Sequence, residues 1–175
     1  MLGAAVQLLV EGGLPFVTIE RLAERSGVAK TTIYRHWDSR SAIIVDALRN
    51  LVPREQSRLP EGSLRDRLIA LTNALTEGLR AAPWAPVLPG IIDAAERDSE
   101  VDALLQELLS DALGQMRAVL FDACRAGEIR RDVDVDIAVS TLAGPLFYRR
   151  LVSREVIDAR CSEQLVDQFL RGAWA

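Results

Sequence analysis

Residues 18 to 37 read Thr18-Ile19-Glu20-Arg21-Leu22-Ala23-Glu24-Arg25-Ser26-Gly27-Val28-Ala29-Lys30-Thr31-Thr32-Ile33-Tyr34-Arg35-His36-Trp37, and their pattern decides the fold. Thr18 is an N-capping type of residue. It stands before Ile19, Leu22, Ala23 and Ser26, which recur at helical spacing until Gly27, a residue that tolerates the left-handed backbone of a helix end. That helix is barely two turns long. The polar run Ala29-Lys30-Thr31-Thr32 then leads into Ile33 and Trp37, an i, i+4 apolar pair that anchors a third short helix. The opposite face of this helix carries Lys30, Thr31, Thr32, Tyr34 and Arg35. Two short helices joined across a glycine-containing turn, the second with cations and hydroxyls outward, form the helix-turn-helix arrangement. Its chemistry suits DNA, because such a helix end can bond phosphate oxygens while entering the major groove, and Lys or Arg also pairs with guanine O6 and N7.

Upstream, Leu2, Ala5, Val6, Leu9 and Val10 recur at helical spacing until Gly12 and Gly13, which predicts a first helix with these residues inward. Downstream, Asp38-Ser39 breaks the chain and caps a fourth helix whose inward residues are Ile43, Ile44, Ala47, Leu48 and Leu51. Pro53 to Ser63 reads as a short connector. Ser63 with Asp66 forms a capping-box start for a helix running to about Ala82. Further helices are expected over Trp84 to Arg97, Glu100 to Gly127, Asp134 to Val152 and Ser162 to Gly172, with a kink where Pro145 removes a backbone donor near the Thr141 carbonyl. None of these would be stable alone, so they imply a bundle. The fold class is therefore all-α: a helix-turn-helix module over residues 1–52 and a helical bundle over residues 53–175.

Composition sets bounds on function. The chain has 175 residues, 49% apolar and 26% charged, with a net charge of −4. Residues 1 to 50 carry six basic and five acidic side chains, so the negative excess lies in the remainder. Within Ala29 to Arg40, Lys30, Arg35 and Arg40 stand against Asp38 alone, and nucleic-acid binding needs local rather than global charge. Cys124 and Cys161 lie too far apart for a metal-ligand pair and make no disulfide framework, which suits a reducing cytoplasm. Met1 to Val10 is apolar without a basic lead and reads as a packed helix rather than a signal peptide. No apolar run of membrane-spanning length occurs, so no membrane association is expected.

Residues 18–37, followed by Asp38-Ser39-Arg40-Ser41-Ala42-Ile43, resemble the signature of the TetR family of regulators. The phrase Ala143-Gly144-Pro145-Leu146-Phe147-Tyr148 resembles that family's variable C-terminal region more weakly. The resemblance implies that Lys30, Thr31, Thr32, Tyr34 and His36 face DNA, with Thr18 and Arg40 on phosphates and Arg35 at an exposed, variable position. Two departures stand out. Ala29 occupies a position where a capping Ser is common, and no basic arm precedes the first helix.

A lone helix-turn-helix buries little groove surface, so specific binding to a (pseudo)palindromic operator calls for two copies. Leu142, Leu146 and Leu151 with Leu165, Val166, Phe169 and Leu170 suggest a homodimer through the last two helices, and intramolecular packing is the alternative use of the same residues. The resemblance further implies an effector pocket. Candidate lining residues on the central helices are Leu75, Trp84, Leu88, Met116, Leu120, Leu142 and Phe147, which point to a largely apolar effector. The expected protein is a ligand-responsive regulator, a repressor released when effector binding favours wrongly spaced reading helices. No cofactor or metal is expected. The sole histidine lies inside the DNA motif and no G-x-S-x-G, H-E-x-x-H or P-loop pattern occurs, which argues against an enzyme. A helical adaptor that binds no operator is the rival reading.

Overall fold

The computed structural model describes residues 1–52 and 59–173, and nine α-helices with no β-strand account for most of them. Most of the predicted connector falls outside the described residues. The chain divides into two compact units, Met1–Glu55 with Pro83–Leu109 and Gln56–Ala82 with Ser110–Ala175.

In the first unit, α1 (Leu2–Gly12) buries Ala5, Leu8 and Leu9 and ends at Gly13, whose φ of 69° is a conformation that L side chains resist. Of the residues expected inward, Ala5 and Leu9 are buried, Leu2 and Val6 are half-buried and Val10 is exposed, while Leu8, one turn before Gly12, is buried as well. A single 3-10 turn, Leu14–Phe16, leads to α2 (Ile19–Ser26). Thr18 caps α2 by accepting from the Arg21 backbone N–H at 3.3 Å, and Gly27 (φ 67°) closes it. Then come α3 (Lys30–His36) and α4 (Arg40–Leu51), the latter capped by Ser39, whose hydroxyl accepts from the Ala42 N–H at 2.9 Å. Leu9, Leu22, Ile33, Ile43 and Leu48 are fully buried. Of the residues expected inward on α4, Leu51 is only half-buried, and Val45 is buried instead.

The next helix of this unit, α6 (Leu88–Ala95), is shorter than the predicted Trp84–Arg97: Pro83 and Pro86 lie in the turns that precede it, and Pro89 sits in its first turn, where a missing N–H costs nothing. α7 (Ser99–Ala126) is the longest helix, and its N-terminal part belongs to this unit.

The second unit contains α5 (Leu64–Ala81), the rest of α7, α8 (Val135–Tyr148) and α9 (Ala159–Ala173). The capping box at α5 is complete: Ser63 accepts from the Asp66 N–H, and the Asp66 carboxylate accepts from the Ser63 N–H. Asp134 caps α8 by accepting from the N–H groups of Asp136 and Ile137 at 2.9 and 3.0 Å. Leu64, Leu68, Met116, Leu120, Leu142, Val166 and Leu170 form one core. Three of its buried hydroxyls are paired, Thr76 and Ser162 by their mutual 3.0 Å bond and Thr72 by donating to the Leu68 carbonyl, whereas the buried atoms Arg67 Nε, Asn73 Oδ1 and Ser153 Oγ have no hydrogen-bond partner among the described residues. Both cysteines are free. Pro145 is tolerated within α8. The predicted helix over Asp134–Val152 ends early, at Tyr148, and a π-turn over Arg149–Ser153 follows, closed by Arg154 in the left-handed region (φ 54°). Among the described residues no helix is long and apolar enough to cross a membrane.

Candidate nucleic-acid interface

The two faces of the helix-turn-helix separate cleanly. Leu22 and Ile33 are fully buried and Ile19 and Trp37 nearly so, which fixes α3 against the other helices of its unit. Trp37 also donates from Nε1 to the Asp46 carboxylate on α4 at 2.7 Å, a partner that the sequence pattern did not reveal. On the outer face Lys30, Thr31, Tyr34, Arg35 and His36 are exposed, Tyr34 at 56% despite its large ring, and Thr32 is half-buried. No side chain caps α3 at Ala29, in keeping with the missing hydroxyl.

Several polar contacts hold this face in place. Glu11 of α1 receives a two-pronged bond from the Arg25 guanidinium of α2, both distances 2.7 Å. That bond holds the Glu11 carboxyl below its ordinary pKa and raises that of Arg25. The Arg21 guanidinium lies over the Phe16 ring, 3.9 Å from its centroid. Thr18 uses its oxygen lone pair in capping α2, so its own O–H remains available as a donor. Arg40, expected on phosphate, donates from Nε to the Val17 carbonyl at 2.7 Å and from Nη2 to the Leu14 carbonyl. It thereby straps α4 to the turn before α2, leaving Nη1 as the guanidinium nitrogen with no bond to either carbonyl. Lys30 is bonded to Glu20 of α2 at 2.8 Å, which lowers the Glu20 pKa.

Behind α3, an open cavity of about 430 Å³ is lined by His36, Trp37, Asp38, Ala42, Val45, Asp46, Arg49 and Glu100. α4 is tied to Asp98, the residue just before α7, by the Ser41 hydroxyl and to α7 itself by Arg49 donating to Glu107 at 3.1 Å. Neither tie was legible in the sequence, since each joins residues more than fifty positions apart. None of the seven effector candidates lines this cavity. Met116, Leu120 and Leu142 share the core of the second unit; Leu75 and Phe147, both half-buried, lie in the same unit, whereas Trp84 and Leu88 belong to the first unit.

The residues named for the homodimer divide as well. Leu142, Leu146, Val166 and Leu170 are buried within the chain itself, so their role is intramolecular packing, and Leu151, Leu165 and Phe169 are half-buried. What α8 exposes is a different stripe, Ile137, Thr141, Gly144 and Tyr148 at spacings of four, three and four residues.

Comparison with known proteins gives one consistent answer. Residues 1–47 match the family model described as bacterial regulatory proteins, tetR family, and residues 59–169 match that of the tetracyclin repressor-like C-terminal domain. The chain is 30% identical over 173 residues to a DNA-binding transcriptional repressor TetR of Mycobacteroides abscessus, covering 97% of this chain and 90% of that one. It is similar to the crystal structure of the TetR family transcription regulator SCO0332, with 31% identity, a TM-score of 0.67 and coverage of 98% and 94%. It also shares the fold of a FadR from Bacillus subtilis solved in complex with stearoyl-CoA, with 18% identity, a TM-score of 0.66 and coverage of 98% and 96%.

Proposed function

The chain belongs to the TetR family of transcriptional regulators, which are not enzymes, and from that premise we propose that it is a repressor binding a (pseudo)palindromic operator as a homodimer. The observation that carries this reading is α3 itself. Ile33 and Trp37 are committed to packing, while Lys30, Thr31, Tyr34 and Arg35 stand outward with no packing role that would account for them, and His36, exposed at the end of the helix, also lines the cavity beside Trp37. Thr18, Thr32 and Arg40 complete the proposed contacts at the edges of that face. Repression is supported by the name of the M. abscessus relative. Such a reader of chromosomal DNA works in the cytoplasm.

We assign residues 1–52 to DNA binding and 53–175 to effector binding and dimerisation. The stripe Ile137, Thr141, Gly144 and Tyr148 on α8 is the surface that supports dimerisation through the last two helices. A Cβ at Gly144 would meet nothing in its own chain, so the protomer gives no reason for a residue that costs a helix interior about 0.5–1 kcal/mol relative to Ala. Close approach of a partner helix gives one. A small, largely apolar effector is proposed on the apolar candidates Leu75, Met116, Leu120, Leu142 and Phe147; the B. subtilis FadR, which shares the fold, holds stearoyl-CoA, whose acyl chain is apolar. Effector binding to the state with wrongly spaced reading helices lowers operator affinity, and by reciprocity operator DNA weakens the effector by the same factor.

The test is selection of genomic fragments by the full-length protein, followed by titration of the selected fragment over a salt series. A dimer making about six phosphate contacts loses roughly a thousandfold in affinity between about 50 and 200 mM salt. A helical adaptor would select no fragment.

A further inference from the structure

Among the described residues, Lys30 is the one side chain assigned to DNA whose charge is bonded to an acid. Its Nζ lies 2.8 Å from Glu20 Oε1, joining the first turn of α3 to the first turn of α2 across the motif's turn. Both side chains are more than half exposed, 53% for Lys30 and 68% for Glu20. The pair is therefore not locked by burial, and an approaching phosphate competes with Glu20 for the ammonium on equal terms.

We propose that Glu20 is a specificity-determining residue of the reading face, which withholds Lys30 from DNA contacted through its backbone alone. The proposal rests on the assignment of α3 to DNA. On an arbitrary sequence, moving Lys30 from Glu20 to a phosphate exchanges one ion pair for another. It also leaves the Glu20 carboxylate unpartnered beside a polyanion, so the net gain from this lysine vanishes. Only where the groove offers the carboxylate a donor, as the cytosine N4 amino group does, is its lost partner replaced. Glu20 thus lowers non-specific affinity without an equal loss at the cognate site, and specificity is the ratio of the two. The bond to Lys30 holds the Glu20 carboxyl below its ordinary pKa, and the acid is ionised at neutral pH with or without that bond.

The experiment is an anisotropy titration of a mixed-sequence duplex of about 30 base pairs over a salt series, using the full chain. The variants are Glu20→Gln, Glu24→Gln as a control for net charge, Lys30→Met, and Glu20→Gln in the Lys30→Met background, each checked for unchanged helicity and thermal midpoint. The expected result is about three- to fivefold tighter binding for Glu20→Gln, with the log–log salt slope steeper by about 0.9, one phosphate contact. Glu24→Gln should give less than half that gain, and in the Lys30→Met background Glu20→Gln should change affinity by less than about twofold. Equal gains with and without Lys30, or equal gains from the two glutamates, overturn the proposal while leaving α3 as the reading helix. If Lys30→Met has no effect even in the Glu20→Gln background, Lys30 does not reach DNA, and its assignment to the interface falls together with the proposal.

Discussion

At Gly12 there is no room for a side chain: a Cβ would lie 2.1 Å from Phe16 Cγ, at the root of the ring rather than its flexible end. Gly12→Ala must therefore push the ring off α1 and away from the Arg21 guanidinium that stacks on it. We predict a loss of about 1–3 kcal/mol in urea unfolding, and an unchanged midpoint would contradict the packing described. Trp37 gives a second test. Trp37→Phe keeps most of the ring volume but removes the Nε1 donor, leaving the partly buried Asp46 carboxylate without it. The expected cost is about 1–3 kcal/mol, with Asp46→Asn partly restoring the loss by removing the stranded charge. These residues also mark what a sequence discloses. Ile19, Leu22, Ile33 and Trp37 were legible as the inner face because helical periodicity is local. Arg40 was not legible as a strap, because its acceptors are the backbone carbonyls of Val17 and Leu14, which carry no residue identity.

Among the elements, the caps were readable in advance and the irregular turns were not. Thr18, Ser39 and Ser63 cap helices as their side chains allow, since a cap is settled within four residues, and Asp134 adds a cap that the sequence reading did not name. The π-turn at Arg149–Ser153 follows from tertiary packing, with Arg150 donating from Nε to the Leu79 carbonyl of α5, and no local pattern announces it. The apolar residues of α8 and α9 were equally ambiguous. Leucines at helical spacing fill a protomer core or an interface equally well, and here Leu142 and Leu146 went to the core. The proposed dimer uses the exposed stripe of α8, on which Gly144 lies. Gly144→Leu is predicted to give a folded monomer by analytical ultracentrifugation, with helicity retained, whereas a dimer of undiminished stability would move the interface elsewhere.

Across the whole molecule, acid sensitivity follows from carboxylates held below their ordinary pKa by bonds made only in the fold. Glu11 owes its shift first to Arg25, Asp66 to Ser63, Asp98 to Ser41 and Asp167 to Arg65. A group whose pKa is lower folded than unfolded adds stability above its unfolded value, and that contribution is lost as pH falls through the folded value. The urea midpoint should therefore be level from pH 8 to 6 and fall steadily below about pH 4.5, where unfolded carboxyls begin to protonate. A midpoint constant down to pH 3 would show that these bonds contribute nothing. At this scale the sequence division at residue 52 and the compact units differ: Pro83–Leu109 packs with the N-terminal helices, which only long-range contacts such as Ser41 with Asp98 and Arg49 with Glu107 reveal. The central claim is that the outer face of α3 reads DNA, and it is tested most directly by replacing Lys30 and Tyr34 together with Ala and titrating a fragment selected by the wild-type protein. Operator binding should disappear while helicity and dimer mass stay unchanged. Undiminished affinity in the double variant would contradict the account.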